Sequence, residues 1–244
     1  MKIAVYQDKF SKAWAGKDST DDYQLHPVMD VREALTLQYD TDAHITLGVI
    51  YNKETNAATD KQPRLSVDLP KNMAKQPDRW SDVSVRFGAM VVDVDAEKDV
   101  VEKGDEYVQA WSEAQLNKLE GTPIGASAGY YLTRGGFRLV WTLPATVDIA
   151  EFGNLRERVY TALYQKGVTP DWLTDWTRLY RAPLVPRYAH IENSLDLSNM
   201  GDLDTDALPE AIENPTLVGA ARTKTEKTMP KTAGGLMAIL AQAR

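Results

Sequence analysis

Residues 86–95, RFGAMVVDVD, constrain the fold more than any other stretch. A run of apolar and small side chains this short reads as a buried strand, which needs sheet neighbours at its edges and cover on its faces. It ends in Asp93 and Asp95, one residue apart. On a strand these two share a face, with Cα atoms about 6.5–7 Å apart, while Val92 and Val94 point the other way.

The rest of the pattern supplies the neighbours. Residues 2–7 and 44–52 read as strands. Residues 31–39 read as a short helix with Asp30 as its N-cap. Residues 53–80 are polar and broken by proline, hence mostly loop. A helix is predicted over 105–121, stopping at Gly121. Residues 124–132 and 137–143 read as two strands joined by the Thr133–Gly136 turn. In 148–167, Ile149, Phe152, Leu155, Val159 and Leu163 fall at helical spacing and Gly167 closes the helix. There is no internal repeat. Strands and helices alternate without a regular βαβ rhythm, so the expected class is mixed α+β.

Composition excludes several function classes. With no Cys there are no disulfides and no thiolate metal sites. His26, His44 and His190 are too scattered to suggest a zinc site. No run approaches membrane-spanning length and the first residues lack a signal-like apolar core, so the expectation is a cytoplasmic protein without a membrane partner. A net charge of −7 argues against broad coating of nucleic acid. The charge is uneven, however. Residues 188–221 contain no Lys or Arg but many carboxylates, whereas 134–187 contain Arg134, Arg138, Arg156, Arg158, Lys166, Arg178, Arg181 and Arg187. A local basic surface is compatible with the acidic total.

Three stretches bear chemistry. Asp93 and Asp95 suit a hard divalent cation such as Mg²⁺ or Mn²⁺, or a pair of them; they also suit solvated charge, or a helix N-cap leading into the next residues. In the turn TRGGFR, Gly135 and Gly136 permit close backbone approach, Thr133 offers a hydroxyl, and Arg134 and Arg138 offer forks that match phosphate; an ordinary hairpin with surface arginines reads equally well. In DWLTDWTRLYRAP, Asp175, Arg178 and Arg181 are spaced i, i+3, i+6, which fits either a site or a salt-bridged turn over Trp172, Trp176 and Tyr180.

Taken in order, these stretches resemble the archaeo-eukaryotic primase superfamily, in particular the primase-polymerase domains of phages, plasmids and other mobile elements. The matching residues are VVDVD with Asp93 and Asp95, TRGGFR from Thr133 to Arg138, Asp175, and the arginine–proline segment RLYRAP. They lie within about residues 86–187. The resemblance implies an N-terminal α/β module and an RRM-like catalytic module with a cleft between them. The match is loose over the first 85 residues and does not reach the tail; together with the charge pattern it gives a catalytic domain over 1–190, with 1–85 as the N-terminal module, and an acidic segment and flexible tail over 191–244. In that tail, 221–235 reads as a linker and 236–244 as a last helical turn or two.

The activity implied is DNA primase and polymerase: template-dependent nucleotidyl transfer from nucleoside triphosphates in replication of a mobile element. Asp93, Asp95 and Asp175 are the implied catalytic metal ligands for Mg²⁺ or Mn²⁺. Thr133, Arg134, Gly135, Gly136 and Arg138, with Arg178 and Arg181, are the implied nucleotide-binding set. The implied partners are a single-stranded DNA template and a separate replicative helicase. Arg138 stands where the family usually has His, and it is expected to point into the cleft and fork onto two phosphate oxygens. Because the carboxylates repel, replacing Asp93 or Asp95 with Ala is expected to leave the fold intact or slightly stabilised. Two other classes fit the same residues: a catalytically weakened primase-like accessory DNA-binding protein, and an unrelated metal-dependent phosphohydrolase or nuclease.

Overall fold

The run singled out above forms β5 (Val83–Asp95), and every residue from Phe87 to Val94 is buried. The computed structural model describes residues 1–7, 28–59, 62, 65, 67–75, 77–189, 191 and 195–212. The expected linker and terminal helical turn lie outside the described residues. The class is mixed α+β, built on two antiparallel sheets.

In the first sheet the order is β2 (Val28–Asp30), β1 (Lys2–Gln7), β3 (Ala43–Thr46) and β8 (Tyr180–Arg181). In the second it is β4 (Gly48–Asn52), β5, β7 (Gly136–Val147), β6 (Gly129–Leu132) and β9 (Leu195–Asp196). The single strand expected over 44–52 is two strands in different sheets, separated by Leu47. Gly48 sits at this crossover because a Cβ there would approach Leu65 Cδ1 to 2.9 Å and Phe87 Cε1 to 3.2 Å. A tight passage of this kind favours glycine.

Helices cover the second sheet. Val94 pairs Phe137 and Val92 pairs Leu139, so these side chains share a face with Trp141. Against that face pack α5 (Asp105–Asn117), through Trp111 on Phe137, and α6 (Pro123–Ala126), whose Ile124 carbonyl accepts from Trp141 Nε1 at 3.0 Å. The strand expected over 124–132 therefore begins only at Gly129; the first residues become α6, capped by Thr122 Oγ1, which accepts from Gly125 N. α7 (Ile149–Gln165) is capped by Asp148, whose Oδ1 accepts from Glu151 N at 2.9 Å, and it buries Phe152, Leu155, Val159 and Leu163. Phe152 stacks on Phe87 with centroids 4.1 Å apart. Shorter helices are α1 (Val31–Thr36), α2 (Leu69–Lys75), α3 (Pro77–Trp80) and α4 (Lys98–Val101). The expectation of mostly loop over 53–80 missed α2 and α3. Among the described residues no helix is long and apolar enough to cross a membrane.

The compact unit runs from Met1 to Ala211, past the boundary expected near 190. Its last stretch is acidic in sequence yet buries Leu197, Met200, Leu203 and Leu208. Two arginines hold its backbone. Arg32 donates to the carbonyls of Leu197 and Met200 at 2.9 and 2.8 Å. Arg158, on α7, donates to those of Thr205, Leu208 and Pro209 at 3.0, 2.7 and 3.0 Å. Removing Arg158 leaves three carbonyls short of a charged donor. Arg158→Ala should therefore cost about 1.5–3 kcal/mol in denaturant melts, and ending the chain after Ile191 should cost more. An unchanged midpoint in either would show that this stretch does not support the fold.

Candidate active site

The second face of β5 and β7 contains the charge. Asp93 pairs with Arg138 across the two strands, and Arg138 pairs with Tyr131 on β6. Arg138 thus leaves the Phe137/Leu139 face, as the alternation requires. Its guanidinium is nonetheless committed. Asp93 Oδ1 accepts from Arg138 Nε at 3.1 Å and Oδ2 from Nη2 at 3.2 Å, a two-point match of fork to carboxylate. The remaining Nη1 donates to the Arg181 carbonyl at 3.0 Å. The Tyr131 and Tyr180 rings each lie 5.6 Å from the guanidinium carbon. Asp93 is 3% exposed and the Arg138 side chain 12%. Burial opposes the charge of Arg138, but Tyr131 and Asp93 outweigh it and hold the guanidinium protonated well above its ordinary range. Burial likewise pushes the Tyr131 hydroxyl up to about 12 and raises that of Tyr180. This cluster sits where the sheets meet, because Arg181 belongs to β8 and its carbonyl also accepts from Tyr131 Oη at 3.1 Å.

Asp95 lies at the end of β5, opposite Gly136. Gly136 is needed there: a Cβ would fall 2.1 Å from the Val94 carbonyl oxygen. The Asp95 side chain is open to solvent on one side, yet the surrounding protein still desolvates it. That burial, followed by the charges of Asp93 and Asp171, pushes its pKa up to about 6.

The third carboxylate of the cluster is Asp171. β4 pairs with β5 only from Val83 to Phe87, which leaves the β5 edge open beyond that point. The chain after α7 fills the gap at Asp93, where Asp171 N donates to the Asp93 carbonyl at 2.8 Å. Burial and the Asp93 charge raise the Asp171 pKa, against the pull of Arg178. Arg178 Nη2 bridges the two acids, 3.6 Å from Asp93 Oδ2 and 3.7 Å from Asp171 Oδ2. α7 steadies the residues that follow. Arg156 Nη2 donates to the Thr174 carbonyl, Tyr160 Oη to the Leu173 carbonyl, and Trp172 Nε1 to Glu157 Oε2.

Asp175, the expected third ligand, is engaged elsewhere: its Oδ1 accepts from Thr177 N at 2.8 Å and Thr177 Oγ1 at 2.7 Å, closing its own turn. Both acids occur in the same short stretch, and it is Asp171 whose backbone reaches the open edge of β5. Arg181 is held by Asp42, with Nε and Nη2 at 2.6 and 2.8 Å. Thr133 is buried and shapes the turn, its Oγ1 accepting from Gly135 N at 3.2 Å and its N donating to the Gly136 carbonyl at 2.8 Å. Arg134 is exposed at the tip of this turn. Of the expected phosphate ligands, Arg134 and Arg178 therefore present guanidinium surface, while Arg138 and Arg181 are paired internally.

Among the described residues, no three His, Asp or Glu side chains are grouped closely enough to hold a metal ion as they stand. Asp93 spends both oxygens on arginine. Asp95 and Asp171 are different: both are oxygen donors whose pKa values are raised, first by burial and then by neighbouring carboxylates, with Arg178 offsetting part of this at Asp171; a hard divalent cation would favour the charged form of each. In charge and donor chemistry these two fit Mg²⁺ or Mn²⁺. No family model matches the chain, and neither the curated proteins nor the solved structures include one that is significantly similar to it.

Two expectations follow. Asp93→Ala strands a buried guanidinium, so it should destabilise by about 3–5 kcal/mol rather than be tolerated; a melting curve like wild type would contradict the clamp. Asp95 behaves oppositely. Its folded pKa lies above the unfolded value near 3.9, so the fold loses stability as pH rises between that value and about 6, and the loss persists above. In EDTA, Asp95→Asn should melt above wild type near neutral pH, the gap closing toward about pH 4. A gap that widens on acidification would reverse the sign and refute the assignment.

Proposed function

We propose that the chain is a metal-dependent nucleotidyltransferase of the primase-polymerase type, extending DNA from nucleoside triphosphates on a single-stranded template, with a separate helicase as its partner in replication of a mobile element. The observation that carries this reading is the electrostatic coupling of Asp93, Asp95 and Asp171 at the meeting of two sheets, with Arg178 bridging Asp93 and Asp171. The strand order β5–β7–β6, with α5 before β6 and α7 after β7, supports an RRM-like catalytic module. The sheet of β1 to β3 then corresponds to the N-terminal module.

In this reading Asp95 and Asp171 hold Mg²⁺ or Mn²⁺. When bound, the metal neutralises triphosphate charge and activates the primer 3′-hydroxyl. Arg178 and Arg134 bind phosphate oxygens, with fork geometry suited to them. Asp93 and Arg138 form the rigid floor on which Asp95 and Arg178 are placed. The Thr133–Gly136 turn brings backbone close to Asp95, where Gly135 leaves room: a Cβ there would come to 3.4 Å from Asp95 Oδ1.

A second reading is favoured by the Asp93 clamp. A primase-like accessory protein that binds nucleotide or DNA without incorporation needs no free carboxylate at Asp93. Primer synthesis and extension on a single-stranded template, with Mg²⁺ or Mn²⁺, separate the two. The enzyme reading expects incorporation by wild type, a loss of at least about 100-fold in Asp95→Ala and Asp171→Ala, and retention of most activity in Asp175→Ala. No incorporation with either metal would overturn the nucleotidyltransferase reading. Loss in Asp175→Ala with retention in Asp171→Ala overturns the assignment of the third acid.

A further inference from the structure

Away from the acids at the sheet junction, a groove of about 360 Å³ opens between the second half of α5, the turn into α6, and the β6–β9 edge. Apolar surface lines it, with the half-buried Leu116 and Tyr130 and the exposed Ala126 among its residues. Glu113, Glu120 and Asp196 stand around it. Among the described residues no Lys or Arg lines it. The nearest cation in sequence, Lys118, is turned away and donates to Gln115 Oε1 at 2.7 Å and the Gly167 carbonyl at 2.8 Å. The field is felt inside: burial first, then Asp196 and Glu113, raise the Tyr130 hydroxyl.

We infer that this groove docks a lysine- or arginine-bearing amphipathic segment of a partner protein. Such side chains match both halves of the lining. Their aliphatic stems cover Leu116, Ala126 and the Tyr130 ring, and their charged heads reach the carboxylate rim. An aromatic face beside a cation adds further attraction. Nucleic acid is excluded by like charge. A free polyamine leaves the apolar floor uncovered, whereas a peptide brings apolar neighbours on the same helical face. The inference does not depend on the proposed nucleotidyl transfer.

The test uses a fluorescein-labelled dodecapeptide of lysine and leucine at helical spacing, titrated with the full chain and read by anisotropy. Binding should be saturable and weaken with salt. Glu113→Lys with Glu120→Lys should cut affinity by at least about tenfold, and Ala126→Trp, which fills the groove without changing charge, should do the same. Asp99→Lys with Glu102→Lys, an equal reversal on exposed α4, should leave affinity within about twofold, since exposed pairs there contribute little. All variants sit at exposed positions, and melting curves confirm that they fold. Equal losses in both double reversals would reduce the effect to net charge and overturn the groove. Indifference to Ala126→Trp, or no saturable binding by wild type, would overturn it too. Displacement of the peptide by spermidine at equal concentration would overturn the peptide class in favour of a polyamine.

Discussion

Asp93 and Arg138 face each other across β5 and β7, the acid buried and the arginine nearly so, with two hydrogen bonds between them. An ion pair in this position is costly to desolvate, and it persists because the remaining donors are satisfied as well. Arg138 reaches the Arg181 carbonyl, so the pair also joins the two sheets. Arg178 approaches the same carboxylate, and the backbone carbonyl of Asp93 receives Asp171. One residue thus seats an arginine on each of two elements and a second acid, and the exposed Asp95 inherits their field.

That arrangement separates two jobs that look alike in sequence. Asp93 and Asp95 share a strand face, and by residue type either serves as a ligand. Burial divides them: the inner acid is consumed in structure, while the outer acid keeps an open side and a raised pKa. The arginines divide in the same way. Arg138 and Arg181 are internal counter-ions to Asp93 and Asp42, Arg178 bridges Asp93 and Asp171 from a half-buried position, and Arg134 is exposed.

Much of this was legible in the residues. The uninterrupted apolar run made β5 central, helical spacing set α7, and strand alternation placed Arg138 opposite Phe137. What sequence could not supply was long-range. Nothing local says that β3 and β4 part at Leu47, because the same β-branched pattern suits one strand or two; the crowding around Gly48 decides it. The early residues of 124–132 have strand-compatible composition, but the Thr122 cap and the bond from Trp141 to Ile124 draw them into α6. The acidic stretch after 195 looked like tail because its apolar residues are sparse; Arg32 and Arg158, distant in sequence, pin it. Asp171 was hidden for the same reason, since its approach to Asp93 depends on where β4 ends.

Asp171 and Asp95, above the Asp93–Arg138 pair, are the proposed cation-binding part of the site. A crystal structure of the full chain soaked with Mn²⁺ and a non-hydrolysable nucleoside triphosphate tests this proposal most directly. Anomalous density should appear within about 2.0–2.2 Å of carboxylate oxygens of both Asp95 and Asp171, with triphosphate oxygens beside Arg178 and Arg134 and the Asp93–Arg138 bonds intact. Density coordinated by Asp175, or a site left empty at millimolar Mn²⁺ and nucleotide, would contradict it.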